Sequence, residues 1–110
     1  MSKLKNTDIL IVGSGLSGLS LALMLPESFK ITLITKHKLN ACSTSWAQGG
    51  IASVLSKNDS LAKHENDTLK NGHDLNNLDV VKEIIKEGPS CIKWLTENKV
   101  QFTKKGNKIN

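Results

Sequence analysis

A four-residue apolar run near the start of the chain ends in three glycines, and their spacing constrains the fold more than any other feature. Ile9–Val12 contains no polar residue, which is typical of a short strand buried on both faces of a parallel sheet. The glycines follow at Gly13, Gly15 and Gly18, and a leucine-rich segment that favours a helix begins at Leu16. The sequence therefore predicts a strand that passes directly into a helix through a GxGxxG turn.

Each glycine of this turn has a separate expected role in binding a dinucleotide. Gly13 allows the tight turn, Gly15 lets the backbone approach a pyrophosphate, and Gly18 lets the helix pack closely on the strand. The free N–H groups and the positive dipole end of the helix then face the phosphates. This context predicts dinucleotide binding, and a tight strand-to-helix turn without a ligand is the alternative.

A second apolar run completes a βαβ unit. The predicted helix ends before Pro26, and Ile31–Thr35 repeats the pattern of a buried strand. Strand, helix and strand within about thirty residues indicate a right-handed crossover between two parallel neighbours. The predicted fold class is α/β, a βαβ unit followed by helices that forms the N-terminal part of a Rossmann-like domain. A dinucleotide fold needs a third parallel strand, so we expect this domain to be incomplete.

A lysine follows the second predicted strand, where a dinucleotide site commonly has an acidic residue for the ribose hydroxyls. The sequence there is Thr35-Lys36-His37-Lys38. A cation at this position argues against an ordinary NAD site and favours a ligand whose phosphates or adenosine it can approach. NADP and an atypical FAD site both meet this condition.

Ser43–Gly50 combines three hydroxyls, an amide and a glycine pair. This composition predicts a loop that donates backbone and side-chain hydrogen bonds to a flat polar ring. The alternative is a Ser/Gly-rich surface loop that binds nothing.

The second half of the chain indicates mainly helices. Asp59 or Ser60 is expected to cap a helix that runs to about Asn71. A further helix follows, and Gly88-Pro89 is expected to interrupt it so that the proline begins a new helix. Val100–Phe102 is expected to begin a strand.

Charge and residue usage argue against several other classes of protein. The net charge is +5, but all 15 basic residues are lysines spread along the chain, which predicts a solvated surface rather than a nucleic-acid interface. Cys42 and Cys91 lack a CxxC spacing, so we expect reduced, buried thiols. His64 and His73 share no metal-type spacing with them, which predicts no metal site. The apolar segment 9–25 is interrupted by glycines and serines and is short for a membrane span, so we expect a cytoplasmic protein without a membrane segment.

Three strings taken together resemble one family of flavoproteins. DILIVGSGLSGLSLAL, ITLITK and STSWAQGGIA are similar to the N-terminal region of the flavoproteins that include succinate dehydrogenase, fumarate reductase and L-aspartate oxidase. Glu65–Gly72 and Ser90–Leu95 extend the resemblance, which covers Asp8 to Phe102 and is strongest to the L-aspartate oxidases. The AQGGI and SCIKWL strings are specific, whereas GxGxxG alone is not.

The resemblance implies FAD as the cofactor. The FAD contacts that it assigns, together with the glycines of the turn, are Gly13, Ser14, Gly15, Leu16, Ser17, Gly18, Lys36, Ser43, Thr44, Ser45, Trp46, Ala47, Gln48, Gly49 and Gly50. In the dehydrogenase and fumarate reductase flavoproteins, a histidine at the position of Ser43 bonds covalently to the flavin. A serine hydroxyl is not the nucleophile that this linkage needs, so the resemblance implies non-covalent FAD.

The reaction implied by the resemblance is oxidation of L-aspartate to iminoaspartate, with oxygen or fumarate as the acceptor, on the route through quinolinate to NAD. L-aspartate is then the small-molecule partner, and quinolinate synthase is a candidate protein partner. A dicarboxylate calls for guanidinium groups, and the chain contains no arginine. We therefore expect no catalytic residue in this chain, capping and C-terminal helical domains outside it, and no activity from the 110 residues alone.

Two alternatives remain open from the sequence. A fragment of a fumarate reductase or succinate dehydrogenase flavoprotein accounts for the motifs, but Ser43 argues against it. A non-catalytic nucleotide-binding module accounts for the βαβ unit but leaves Ser43–Gly50 unexplained.

Overall fold

The computed structural model of the chain describes residues 5–105 and 108–109. The chain divides into two compact units, Met1–Gly50 and Ile51–Asn110. Among the described helices, none combines the length and the apolar character that a membrane crossing requires.

The first unit is built on the predicted βαβ arrangement. Strand β1 (Ile9–Val12) leads into helix α1 (Leu16–Met24), and strand β2 (Ile31–Ile34) returns parallel to β1. Ile9 pairs with Ile31 and Val12 with Ile34, so the carboxyl ends of both strands lie at the same edge of the sheet. The predicted α/β class and its βαβ start are confirmed.

Burial in this unit differs from the prediction, which placed β1 between two covered faces. Ile11 is buried, but Val12 is 76% exposed and Leu10 is 55% exposed. Successive side chains of a strand point to opposite faces. α1 packs on the Ile11 face, where a Cβ on Gly18 would lie 3.3 Å from Ile11 Cγ2. Only one face of the strand pair is therefore covered by the helix of this unit.

The segment predicted as a loop, Ser43–Gly50, begins instead with one helical turn. This turn, α2 (Ser43–Trp46), follows Cys42, whose backbone is extended. Its hydrogen bonds join Ser45 N to Cys42 O at 3.0 Å and Ala47 N to Thr44 O at 3.3 Å. Such short-range bonds need few ordered residues, so a hydroxyl-rich segment forms them without helical periodicity. The remainder, residues 47–50, is irregular as predicted.

Two helices form the main part of the second unit. In α3 (Leu61–Asn71), the Ser60 hydroxyl caps the start by accepting from Lys63 N at 3.2 Å, which confirms the predicted helix. In α4 (Leu78–Glu97), the Asn77 side chain caps the start in the same way. The helices pack on each other, and the buried core residues of α4 are Ile85, Ile92 and Leu95.

The predicted break at Gly88-Pro89 is wrong, because α4 continues through both residues. A proline ring normally excludes the preceding residue from the helical region by clashing with its backbone and Cβ. Gly88 has no Cβ, so part of that clash is absent. The same lack of a side chain accommodates Ser53, since a Cβ on Gly88 would lie 3.1 Å from Ser53 Oγ. Ile85 and Ile92 are buried on either side of the proline, and their packing favours one continuous helix.

The predicted strand at Val100–Phe102 is also wrong. Lys99 has a φ of 68°, and Val100 N donates to Leu95 O at 3.0 Å, which terminates α4 in a Schellman-type arrangement. The Val100 N–H group is therefore used by the helix end. A short antiparallel pair follows instead, between β3 (Lys104–Lys105) and β4 (Lys108–Ile109).

The continuity of α4 predicts the effect of removing its proline. Pro89→Ala should raise the free energy of unfolding by about 1–3 kcal/mol, because alanine restores the N–H donor that a helix interior uses. Urea unfolding followed by far-UV circular dichroism measures this change. The exposed neighbour gives the control, and Ser90→Ala should change stability by less than about 0.5 kcal/mol. A loss of stability in Pro89→Ala would contradict a continuous helix.

Candidate functional site

An open cleft of about 600 Å³ lies in the first unit at the carboxyl ends of β1 and β2. Ligands of α/β sheets bind at this edge. Its lining residues are Val12, Gly13, Ser14, Gly15, Ile34, Thr35, Lys36, Ala41, Cys42, Ser43 and Thr44.

The cleft brings together three of the sequence-predicted groups: the turn at Gly13–Gly15, Lys36 after β2, and the start of α2 at Ser43 and Thr44. The other predicted contacts are not among its lining residues, and these are Leu16, Ser17, Gly18, Ser45, Trp46, Ala47, Gln48, Gly49 and Gly50. Their contact with a ligand stays a prediction.

The three glycines of the turn differ in whether backbone conformation or packing requires a residue without a side chain. Gly13 has a φ of 112°, a backbone conformation that residues with a side chain rarely adopt. Gly18 lies so close to β1 that a Cβ would collide with the carbonyl of Gly13. Gly15 meets neither constraint, since its φ is −72° and a Cβ would make only an ordinary contact, 3.6 Å from Thr44 Oγ1. Packing within the chain therefore explains Gly18 and backbone conformation explains Gly13, whereas neither explains Gly15, which lines the cleft.

The first turn of α1 receives its hydrogen-bond acceptor from a distant segment. Gly15 is the N-cap and has no side chain to cap the helix. The hydroxyl of Thr44 accepts instead from Leu16 N at 3.2 Å. This bond holds the start of α2 against the start of α1, where backbone N–H groups and the helix dipole favour an anion.

A second long-range bond joins the glycine turn to β2. Ser14 is only 3% exposed, and its hydroxyl donates to Thr35 Oγ1 at 3.1 Å. One residue earlier, Gly13 N donates to Ile34 O at 2.8 Å. The turn is thus attached to the end of β2 through backbone and side chain.

The charge of the cleft comes from one residue. Lys36 is the charged member of the lining that the structure describes, and no carboxylate is among the other members. The remaining polar groups there are hydroxyls, a thiol and backbone amides, most of which can donate hydrogen bonds. A cation and donors around a helix N-terminus match the phosphates of a dinucleotide.

Cys42 is a cleft residue that the sequence reasoning missed. The Ser45 side chain, with its oxygen 3.4 Å from Cys42 Sγ, lowers the pKa of the Cys42 thiol, and backbone bonds from Ser45 and Thr44 act in the same direction. The expected burial of both thiols is wrong, because Cys42 is half-buried and Cys91 is exposed, although both are free. Cys42 belongs to the cleft because it directly precedes α2, and it has no pattern of its own in the sequence.

No grouping of metal ligands accompanies this cleft. Within residues 5–105 and 108–109, no three His, Cys, Asp or Glu side chains are placed together to hold an ion.

Comparison with known proteins identifies the family of this chain. Residues 8–110 match the family described as FAD binding domain. The chain belongs to this family. The predicted cofactor, FAD, and the resemblance to flavoproteins are therefore confirmed.

Individual relatives carry the same name as the subgroup suggested by the motifs. An L-aspartate oxidase of Acinetobacter baylyi is 45% identical over 106 residues, which are 94% of this chain and 20% of the relative. The L-aspartate oxidase of Pseudomonas aeruginosa is 43% identical over 104 residues, and that of Yersinia pestis is 44% identical over 96 residues. These cover 94% and 87% of this chain and 19% and 18% of the relatives. The chain spans about one fifth of the length of the curated relatives it matches.

Because packing requires a glycine at position 18 but not at position 15, replacing each by alanine should change stability differently. Gly18→Ala should destabilise the protein by about 1–3 kcal/mol or more, because the methyl group forces α1 away from β1. Gly15→Ala should leave stability unchanged or raise it by up to about 1 kcal/mol, because its backbone conformation suits alanine. Urea unfolding of both variants tests the difference, and equal losses would contradict the close packing of α1 on β1.

Proposed function

We propose that this chain is the FAD-binding part of an L-aspartate oxidase and that it holds FAD non-covalently. Gly15 carries the proposal, because it lines the cleft and neither packing nor backbone conformation requires a glycine there. The family match and the named relatives support the same cofactor and enzyme class. The proposed contacts are Gly13, Ser14, Gly15, Leu16, Ser17, Gly18, Lys36 and Ser43–Gly50.

These residues are suited to different parts of FAD. The Thr44 hydroxyl is suited to the pyrophosphate, because it accepts from Leu16 N and still has its own proton to donate beside the positive end of α1. Lys36 is suited to the adenosine side, because it follows β2 and carries the positive charge of the cleft. Gly49 and Gly50 have open space where a side chain would lie, so a planar ring can approach their backbone.

The proposed reaction is the oxidation of L-aspartate to iminoaspartate. Bound FAD would supply a two-electron acceptor for the hydride from Cα, with oxygen or fumarate as the final acceptor. The chain itself contains no arginine to bind the substrate carboxylates. We therefore assign substrate binding and catalysis to residues outside this sequence, in capping and helical domains of a chain as long as the relatives.

Two further points belong to this proposal. The iminoaspartate passes to quinolinate synthesis on the way to NAD, which makes quinolinate synthase the proposed protein partner. A cytoplasmic location follows from this role.

The first test concerns how FAD is held. Acid precipitation of the full-length protein should leave the yellow flavin in the supernatant, because position 43 is a serine and the resemblance places there the histidine that links covalently to flavin in the dehydrogenase and fumarate reductase flavoproteins. Flavin that remained in the denatured pellet would contradict non-covalent binding.

Gly15→Val extends this test to the turn. The branched side chain fills the space left for the phosphates, so FAD retention should be lost while far-UV circular dichroism is unchanged. Gly15→Ala, with a smaller side chain, should bind FAD more weakly than wild type but more tightly than Gly15→Val. Full FAD retention in Gly15→Val would contradict the assignment of this turn to the phosphates.

The second test concerns the reaction. The full-length protein with FAD should produce peroxide from L-aspartate in the presence of oxygen, or succinate when fumarate replaces oxygen. D-aspartate and succinate are the control substrates and should give no turnover. Succinate oxidation without L-aspartate oxidation would favour a dehydrogenase flavoprotein instead.

Residues 1–110 alone are the control that tests whether the catalytic residues lie outside this sequence. They should show no L-aspartate-dependent turnover above that of free flavin. Turnover by this segment would contradict the assignment of catalysis to other domains and would direct attention to Lys36 or His64.

A further inference from the structure

Ser14 is a polar residue that is buried as a whole within the described part of the chain. It lies between Gly13 and Gly15 in the glycine turn, and its residue is 3% exposed. A buried hydroxyl without a hydrogen-bond partner is costly, so the partner of Ser14 is a condition for this turn conformation.

That partner is Thr35, which the sequence-based site does not include. Ser14 Oγ donates to Thr35 Oγ1 at 3.1 Å, across 21 positions of the chain. Thr35 is half-buried and directly follows β2, next to Lys36. It also lines the cleft. Its side chain therefore connects two parts of the site that are distant in sequence.

Besides the bond from Leu16 N to Thr44, the other described restraints on the turn are backbone hydrogen bonds at its two ends. Gly13 N donates to Ile34 O, which ties the beginning of the turn to β2. Gly15 O accepts from Leu19 N, which ties its end to α1. Ser14 lies between these two bonds in a glycine-flanked segment, where the backbone is intrinsically free to change conformation. The side-chain bond to Thr35 is the described contact that restrains it there.

We propose that Thr35 is a positioning residue for FAD, acting through Ser14 to hold the glycine turn in its binding conformation. This inference rests on the proposed function, because it assumes that the turn receives the pyrophosphate. A turn that is only partly in the competent conformation binds with an affinity reduced by that fraction. Loss of one hydrogen bond that favours the competent turn can therefore weaken FAD binding without removing any contact to FAD.

The test is a double-mutant cycle on FAD affinity in the full-length protein, measured by titration of flavin fluorescence. Thr35→Val keeps the shape of the side chain and removes its hydroxyl, and it should raise the Kd for FAD by about 3- to 10-fold. Ser14→Ala should raise the Kd by a similar factor. The Kd of the double variant for FAD should not exceed the higher of the two single-variant Kd values, because both changes remove the same hydrogen bond.

Two further variants separate positioning from a general effect on the strand. Thr35→Ser retains the hydroxyl and should restore the Kd to within about twofold of wild type. Thr32→Val is the matched control, because Thr32 is also half-buried in β2 and has no side-chain hydrogen bond among the described contacts. It should leave the Kd unchanged.

Each outcome bears on the proposal. An unchanged Kd in Thr35→Val overturns it, and so do multiplying losses in the double variant, which mean that Thr35 acts independently of Ser14. Equal losses in Thr32→Val and Thr35→Val also overturn it, because they indicate a general weakening of the sheet. Failure of the wild-type protein to bind FAD is a different result, which refutes the proposed function itself.

Discussion

The close approach of α1 to β1 at Gly18 is the constraint on which the first unit depends. Because no side chain separates Gly18 from the carbonyl of Gly13, the helix begins only four residues after the strand ends, at Leu16. Its first N–H groups therefore lie beside the carboxyl ends of β1 and β2, where the cleft opens. A larger residue at position 18 would move the helix away from the strand, and the donors and the positive dipole end would leave the place where an anion can bind.

The hydrogen bonds around the turn show how a short sequence motif becomes a site. Glycines make the turn possible, but they do not determine its conformation, because glycine adopts many backbone angles at similar energy. Ser14 bonded to Thr35 and Leu16 bonded to Thr44 supply the restraints, and each partner comes from a different later segment. The site therefore depends on the return of β2 and on the short turn of α2 as much as on the motif itself.

The sequence predicted the elements whose cause is local. Apolar runs and glycine spacing identified β1, α1 and β2, and residue type identified the Ser60 cap. The errors occurred where a distant contact or an unusual local pair decides the outcome. Gly88 removes part of the clash that normally ends a helix before a proline, and the N–H of Val100 bonds to the end of α4 rather than to a strand. Among the cleft residues, Lys36 follows a predicted strand, and Ser43 and Thr44 lie in a specific string, so the sequence singled them out. Thr35 and Cys42 have no such pattern, because Thr35 is connected to the site through its bond to Ser14 and Cys42 lies there because it directly precedes α2.

The polar groups of the cleft suit a cofactor but not a dicarboxylate substrate. Its described lining offers hydroxyls, backbone amides and the single ammonium group of Lys36, a set that suits phosphates and ribose. A small dicarboxylate needs something different, namely planar cations that bind each carboxylate through two parallel hydrogen bonds. Lysines cannot reproduce this geometry, and the sequence contains lysine as its only permanently cationic residue. The lining of the cleft therefore suits a cofactor, and under the proposed function the recognition of L-aspartate is assigned to groups that this sequence does not contain.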